Sequence, residues 1–189
     1  MMNKGAQAVF LLCLALGLPG PGLAEGAGGR TVPQLNTRQE GMILVVEGSM
    51  LTKADRATAW AVLTDYARFP EFVPGITGNQ VLEAVNGAKT IAQRGQVLAG
   101  QVRMPYEGVM RVTEYRLEGM DIQFLSGPFK DVGGSWRLGA ERPLKLSYSM
   151  RMDLSKTPIP PPLAPTIAQQ QVTTWVEAFG REIERRAGK

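Results

Sequence analysis

An α+β fold is predicted, with one curved antiparallel sheet of seven strands, two short helices and a long C-terminal helix over the concave face. Three observations predict it. Two-residue alternation runs from Asn79 to Leu154, one apolar stripe at helical spacing occupies the chain after Thr166, and a short helical insert follows the first strand.

The first strand is MILVVEGSML, apolar and β-branched, with polar residues only late. Thr52 and Asp55 then form an S/T-x-x-D helix start, and ADRATAWAVLTDY puts Ala59, Trp60 and Leu63 on one side. A second short helix falls in ARFPEF, where Pro70 is tolerated early, and Pro74-Gly75 stops it. Six strand-like runs follow. They are punctuated by Asn86-Gly87, Met104-Pro105, Glu118-Gly119, the glycines of DVGGSW and Arg142-Pro143.

The alternation also assigns faces. In LKLSYSMRMDL, Leu144, Leu146, Tyr148, Met150, Met152 and Leu154 share one side, leaving Lys145, Ser147, Ser149, Arg151 and Asp153 on the other. The same register turns Tyr106, Met110 and Val112 inward in one run, and Met120, Ile122 and Phe124 in another. After the proline-dense TPIPPPLAP, a capping box of Thr166 with Gln169 opens a helix reaching Ala187. Its stripe of Ala168, Val172, Trp175, Val176, Phe179 and Ile183 must be buried against the sheet.

The N-terminus reads as a secretory signal peptide over residues 1–24. Lys4 precedes the apolar run AVFLLCLALGL, then come the breakers PGPG and a small-residue end at Ala24. The run is about half the roughly 20 residues that a membrane-spanning helix needs, which disfavours an anchor. Cys13 follows the bulky Leu12, which disfavours a lipidation site. Cleavage near Ala24 sends the protein to the periplasm or the medium. Residues 25–40 are glycine-rich and polar with few large apolar side chains, so a flexible leader is expected before a single folded domain over 41–187.

Cleavage removes the one cysteine, and the sequence contains no histidine. Those absences exclude disulfides, Ser-His-Asp and Cys-His catalysis and the common zinc and copper ligand sets. No metal or cofactor is expected. The formal charge is +4, with no basic run suited to nucleic acid. Arg181, Arg185 and Arg186, with Glu177 and Glu182 four residues before Arg181 and Arg186, read as a solvated helix face.

Two stretches, DYARFPEFVPGITGNQVLEA and FLSGPFKDVGGSWRL, resemble the coenzyme Q-binding and ribosome-association-toxin branch of the START-like, polyketide-cyclase superfamily. The resemblance covers roughly Gly41 to Ala187 and implies a helix-grip fold, matching the element order above. It also implies lipid-like ligands, among them quinones, other prenyl lipids, sterols and aromatic polyketides.

The candidate cavity lining is then Tyr106, Met110, Val112, Met120, Phe124 and Trp136 on the strands, continued by Tyr148, Met150 and Met152 and closed by Trp175 and Phe179 on the helix. Methionine suits a cavity for variable apolar shapes. Phe69, Phe72, Ile76 and an exposed Phe129 form the expected mouth, able to gate a ligand or make transient contact with a membrane.

Holding or transferring a hydrophobic small molecule, as a monomer, is the function these features favour. One alternative is a cyclase or hydratase using Tyr106 or Tyr148 with Glu114 or Arg94 as acid and base. Another is a ribosome-directed or other protein-interaction role, against which the signal peptide argues.

Overall fold

The computed structural model describes residues 32–188. Signal peptide, cleavage site and the first part of the leader lie outside the described residues. The described residues form eight strands: β1 Gln34–Glu40, β2 Ile43–Thr52, β3 Ile76–Val85, β4 Ala88–Ala99, β5 Val102–Tyr115, β6 Gly119–Phe124, β7 Gly133–Leu138 and β8 Leu144–Asp153. The helices are α1 Arg56–Leu63, α2 Phe69–Phe72 and α3 Ala164–Ala187. All strand pairs are antiparallel, in the order β1-β2-β8-β7-β6-β5-β4-β3.

The eighth strand, β1, falls on the segment that composition assigns to the leader. With Leu35 as its single large apolar residue, it carries no alternation signal. What holds it is not side-chain burial. Its backbone pairs with β2 from Gln34↔Ser49 to Glu40↔Ile43, Arg38 meets Glu47 at 3.0 Å, and Gln169 of α3 donates to Thr37 Oγ1 at 2.9 Å.

Both predicted helix starts shift. Thr52 is the last residue of β2 and is buried, its Oγ1 accepting from Ala54 N at 3.2 Å; the cap is Asp55 itself, accepting from Thr58 N at 2.7 Å. On α1 the core-facing residues are Ala59, Val62 and Leu63, with Trp60 only half-buried. α3 begins two residues before Thr166, because Pro165 is preorganised for the first turn and needs no N–H partner there. Gln169 is thereby freed from capping and reaches β1.

α3 explains the curvature. It packs on β1, β2 and β8 near one end of the strand order and also on β4 near the other, so the sheet curls around it. Close approach depends on Gly48 of β2. A Cβ there would lie 2.8 Å from Val172 and 3.1 Å from Val176, both on α3. The inward face of β8 is as predicted: Leu144, Leu146, Tyr148, Met150 and Met152 are buried, and so is Leu154 just past its end.

α1, a 3-10 turn over Tyr66–Arg68 and α2 form the crossing from β2 to β3, the two strands far apart in the sheet. Tyr66 pins this crossing to the sheet. Its hydroxyl donates to Glu114 Oε1 at 2.6 Å, an oxygen that also accepts from Lys89 Nζ at 2.6 Å, while Asn79 Nδ2 donates to Tyr66 O at 3.0 Å. From the other side, Arg186 of α3 donates to Asp65 Oδ2 at 2.8 Å.

Candidate functional site: an apolar space under the long helix

Two voids of about 50 Å³ each lie between α3 and the sheet, meeting at Phe124 and Trp175, which line both. The first is walled by Tyr106, Phe124, Phe129, Met150 and Met152, with Ile167, Ala168 and Gln171 of α3 above. Val97, Val132 and Ile159 complete it; Ile159 comes from the proline-dense segment between β8 and α3. The second is walled by Met110, Ile122, Trp136 and Tyr148, with Phe69, Ile76, Gln93 and Phe179 around its end.

The predicted lining residues thus surround these voids, with two exceptions. Val112 and Met120 are fully packed and reach neither. Met120 sits under the Tyr66 turn, its sulfur 3.8 Å from the Tyr66 hydroxyl. Val97, Ile122, Val132, Ile159, Ile167 and Ala168 also line the voids without having been predicted to, as do the two polar members, Gln93 and Gln171. Gln93 was within reach: Ile91, Gln93, Gly95 and Val97 alternate as one buried face of β4. Gln171 lies one turn before Trp175 on the predicted stripe.

The expected mouth is not an exposed rim. Phe69 is 6% exposed, Ile76 8% and Phe129 8%, with Phe72 half-buried. Phe69 and Phe72 fold onto Phe179, with ring centroids 5.1 and 5.4 Å away, so α2 closes down on α3. The loop that turns Phe129 inward passes through Gly127 at φ 84°, a left-handed conformation that a side chain would strain and where a Cβ would run into the carbonyl of Glu107. The loop then folds back and places the Phe129 ring 5.6 Å from Tyr106. The exposure expected of Phe129 belongs instead to its neighbour Lys130.

Ionisable groups are few at the voids, and the acid and base set weighed from the sequence is not assembled. Glu114 is committed to Tyr66 and Lys89, away from both voids, and Arg94 is exposed. The Tyr106 hydroxyl donates to Gln93 Oε1 at 2.8 Å, and Gln93 Nε2 donates to Asn79 Oδ1 at 3.2 Å. Burial pushes the phenols of Tyr106 and Tyr148 well above their ordinary range, so both are neutral near pH 7. Tyr66 is raised too, by burial first and then by its bond to Glu114.

A larger concavity, about 620 Å³, lies on the outer face of β1, β2, β8 and β7. Its side chains include Asn36, Glu47, Ser49, Arg137, Ser147 and Ser149, the polar half of the strand alternation. It is open to solvent and polar groups are spread through its lining, whereas the two voids are walled almost entirely by apolar side chains.

At the far end of α3 the expected solvated face divides. Glu177 and Arg181 pair in solvent at 3.3 Å, but Glu182 is buried, bound by Arg185 and Arg186 at 2.6 and 2.7 Å. The Arg185 hydrogen bond, aided by Arg186, pulls the Glu182 carboxyl from its ordinary 4.5 down to about 2. A depressed folded value means stability that is present above pH 4.5 and lost as pH falls toward 2. Discounted for solvent screening at the half-exposed Arg185, this amounts to roughly 1–2 kcal/mol. Urea unfolding at pH 6 and pH 2.5 is expected to show that loss, and Glu182→Gln to show a correspondingly smaller one.

Among the described residues, no group of three or more His, Cys, Asp and Glu side chains comes together, and no helix is long and apolar enough to cross a membrane.

This architecture defines a class: an antiparallel sheet gripping one long helix over an apolar interior. Residues 52–179 match the family described as polyketide cyclase / dehydrase and lipid transport, and the chain belongs to that family. The fold is shared with solved structures of low sequence identity. A STAR-related lipid transfer protein from Xanthomonas axonopodis is 16% identical, with TM-score 0.61 over 80% of this chain and 98% of that one. The Zhui aromatase/cyclase from Streptomyces sp. R1128 is 17% identical, with TM-score 0.62 over 76% and 95%. The di-domain ARO/CYC BexL is 9% identical with TM-score 0.64; the match covers 78% of this chain and 51% of BexL. No curated protein matches the sequence.

Proposed function

We propose that this protein binds or transfers a hydrophobic small molecule, held between α3 and the sheet, after export from the cell. The observation that carries the reading is the pair of apolar voids meeting at Phe124 and Trp175, with neutral tyrosines and no lysine, arginine or carboxylate in their walls. The family supports a hydrophobic ligand. Holding is favoured over catalysis because the one inward-register carboxylate, Glu114, is spent on pinning Tyr66.

The voids are far smaller than the ~300–1,000 Å³ of ordinary ligand pockets. A ligand therefore enters by displacing side chains, and the flexible Met150 and Met152 are suited to yield. Enclosing about 300 Å² of apolar ligand at ~25 cal/mol per Å² gives about 7 kcal/mol gross. Association costs at least about 4 kcal/mol of that, which leaves a weak, reversible complex. Reversibility is what a carrier needs.

Native mass spectrometry of protein purified from its source compartment is expected to show a co-purifying lipid or quinone. Repeated absence of any such mass, with no binding of quinone or fatty acyl probes, would overturn the proposal. Export rests on the segment of residues 1–24, and N-terminal sequencing of the mature protein is expected to begin close to Glu25.

A further inference from the structure

Two buried side-chain polar atoms lack a hydrogen-bond partner among the described residues, Thr157 Oγ1 and Trp175 Nε1. Thr157 lines neither void. Trp175 lines both, at the place where they meet. Its ring stands edge-on to Tyr148, with centroids 5.6 Å apart and planes at 85°. Phenylalanine would supply much of the same apolar contact without burying an N–H. An unpaired buried donor costs about 1–3 kcal/mol, and of the two residues shared by the spaces, Phe124 and Trp175, only Trp175 carries a polar atom to bear that cost.

We infer that the Trp175 indole N–H is the polar recognition point of the site, donating to the carbonyl oxygen of an otherwise apolar ligand. Gln171 stands one turn earlier on the same face of α3 and is buried in the wall of the first void. Its Oε1 accepts from Leu98 N at 3.3 Å, which leaves its NH2 as a second donor. Both uncommitted groups are donors, so the complement is an acceptor. The nearby Tyr106 hydroxyl is already engaged with Gln93.

Charge chooses the kind of acceptor. A carboxylate would bring a negative charge into walls that contain no cation, at a large desolvation cost. A neutral ketone, quinone or ester oxygen meets the donors without that cost. A water molecule is a poor substitute, since it needs two to four polar partners and, besides Gln171, the wall of the first void offers only the Tyr106 hydroxyl, already engaged with Gln93.

This inference rests on the binding function proposed above, and the test separates the two. Affinities of 1-tetralone and of tetralin, the same bicycle without the carbonyl, are measured by calorimetry for the full chain and for Trp175→Phe. The ketone-to-hydrocarbon affinity ratio in the wild type, divided by that ratio in the variant, cancels the probes' different water solubilities. A quotient of about ten is expected, from loss of one hydrogen bond. A quotient within two-fold of one, with both probes bound, overturns the inference and leaves the binding function standing. Binding of neither probe by the wild type overturns both. Should Trp175→Phe fail to fold, the ¹⁵N indole spectrum of the wild type decides. Trp60→Phe and Trp136→Phe assign its signals by elimination, and the Trp175 N–H is expected to move downfield with 1-tetralone and not with tetralin. Equal responses to the two probes would overturn the inference.

Discussion

Phe179→Ala is expected to destabilise the protein by about 3–5 kcal/mol, the range for truncating a fully buried phenylalanine. The site makes the upper half of that range the expectation. Phe179 is 4% exposed and touches rings from two other elements: Trp136 of β7 at 4.8 Å, and Phe69 and Phe72 of α2 at 5.1 and 5.4 Å. Aromatic pairs of this kind add about 0.5–1.5 kcal/mol beyond the area they bury. The cavity would also resist collapse, since β7 is fixed by its ladders to β6 and β8 while the α1–α2 crossing is fixed at Tyr66. The measurement is urea unfolding, where the midpoint should fall by roughly 2 M with the slope unchanged. Phe72→Ala, at a half-buried ring, should cost less than half as much. Near-equal losses would mean that the three rings act as one rigid unit, and a Phe179→Ala loss below about 1 kcal/mol would mean that the crossing is held by Tyr66 and Asp65 alone.

Where the sequence succeeded and where it failed share one cause. Strands with one buried face, such as β8, declare themselves, because alternation is the imprint of that burial. The stripe on α3 is legible for the same reason. β1 leaves no such imprint, since backbone pairing and the Gln169–Thr37 bond hold it. The mouth failed differently. Phe69, Phe72 and Phe129 sit in a turn and short helices, where spacing does not fix direction, and their burial is decided by distant partners: Phe179 for the first two, the Glu107 carbonyl beside Gly127 for the third. Glu182 looked like surface charge because four-residue pairing with Arg186 is normal in solvent. Only the tertiary approach of Asp65, which shares Arg186, shows that this end of α3 is covered. The candidate lining was readable as a face, but the split into two voids was not. That division falls at Phe124 and Trp175, the two side chains that line both voids.

Filling the first void should abolish ligand binding while leaving the fold intact. Ala168 is 1% exposed and lines the void of about 50 Å³ beside Ile167 and Gln171. Ala168→Leu adds three carbons at that wall, comparable with the space available. Leucine is nearly as good a helix former as alanine, so α3 itself is not weakened. The new methyl groups gain contacts in a dry space and meet some strain, which together should leave stability within about 1.5 kcal/mol of wild type. Affinity for 1-tetralone should fall at least ten-fold, because the ligand would have to displace a branched side chain packed against Val97, Met152 and Ile159 as well as the methionines it already moves. Ala187→Leu, the same exchange at the exposed end of α3, should leave affinity unchanged. Such a pattern could not come from general loosening of the helix, since the variant that loses the ligand is the one with the fuller core. If Ala168→Leu instead folds normally and binds as wild type does, the ligand is not held under this part of α3, and the space around Trp136, Tyr148 and Phe179 becomes the place to look.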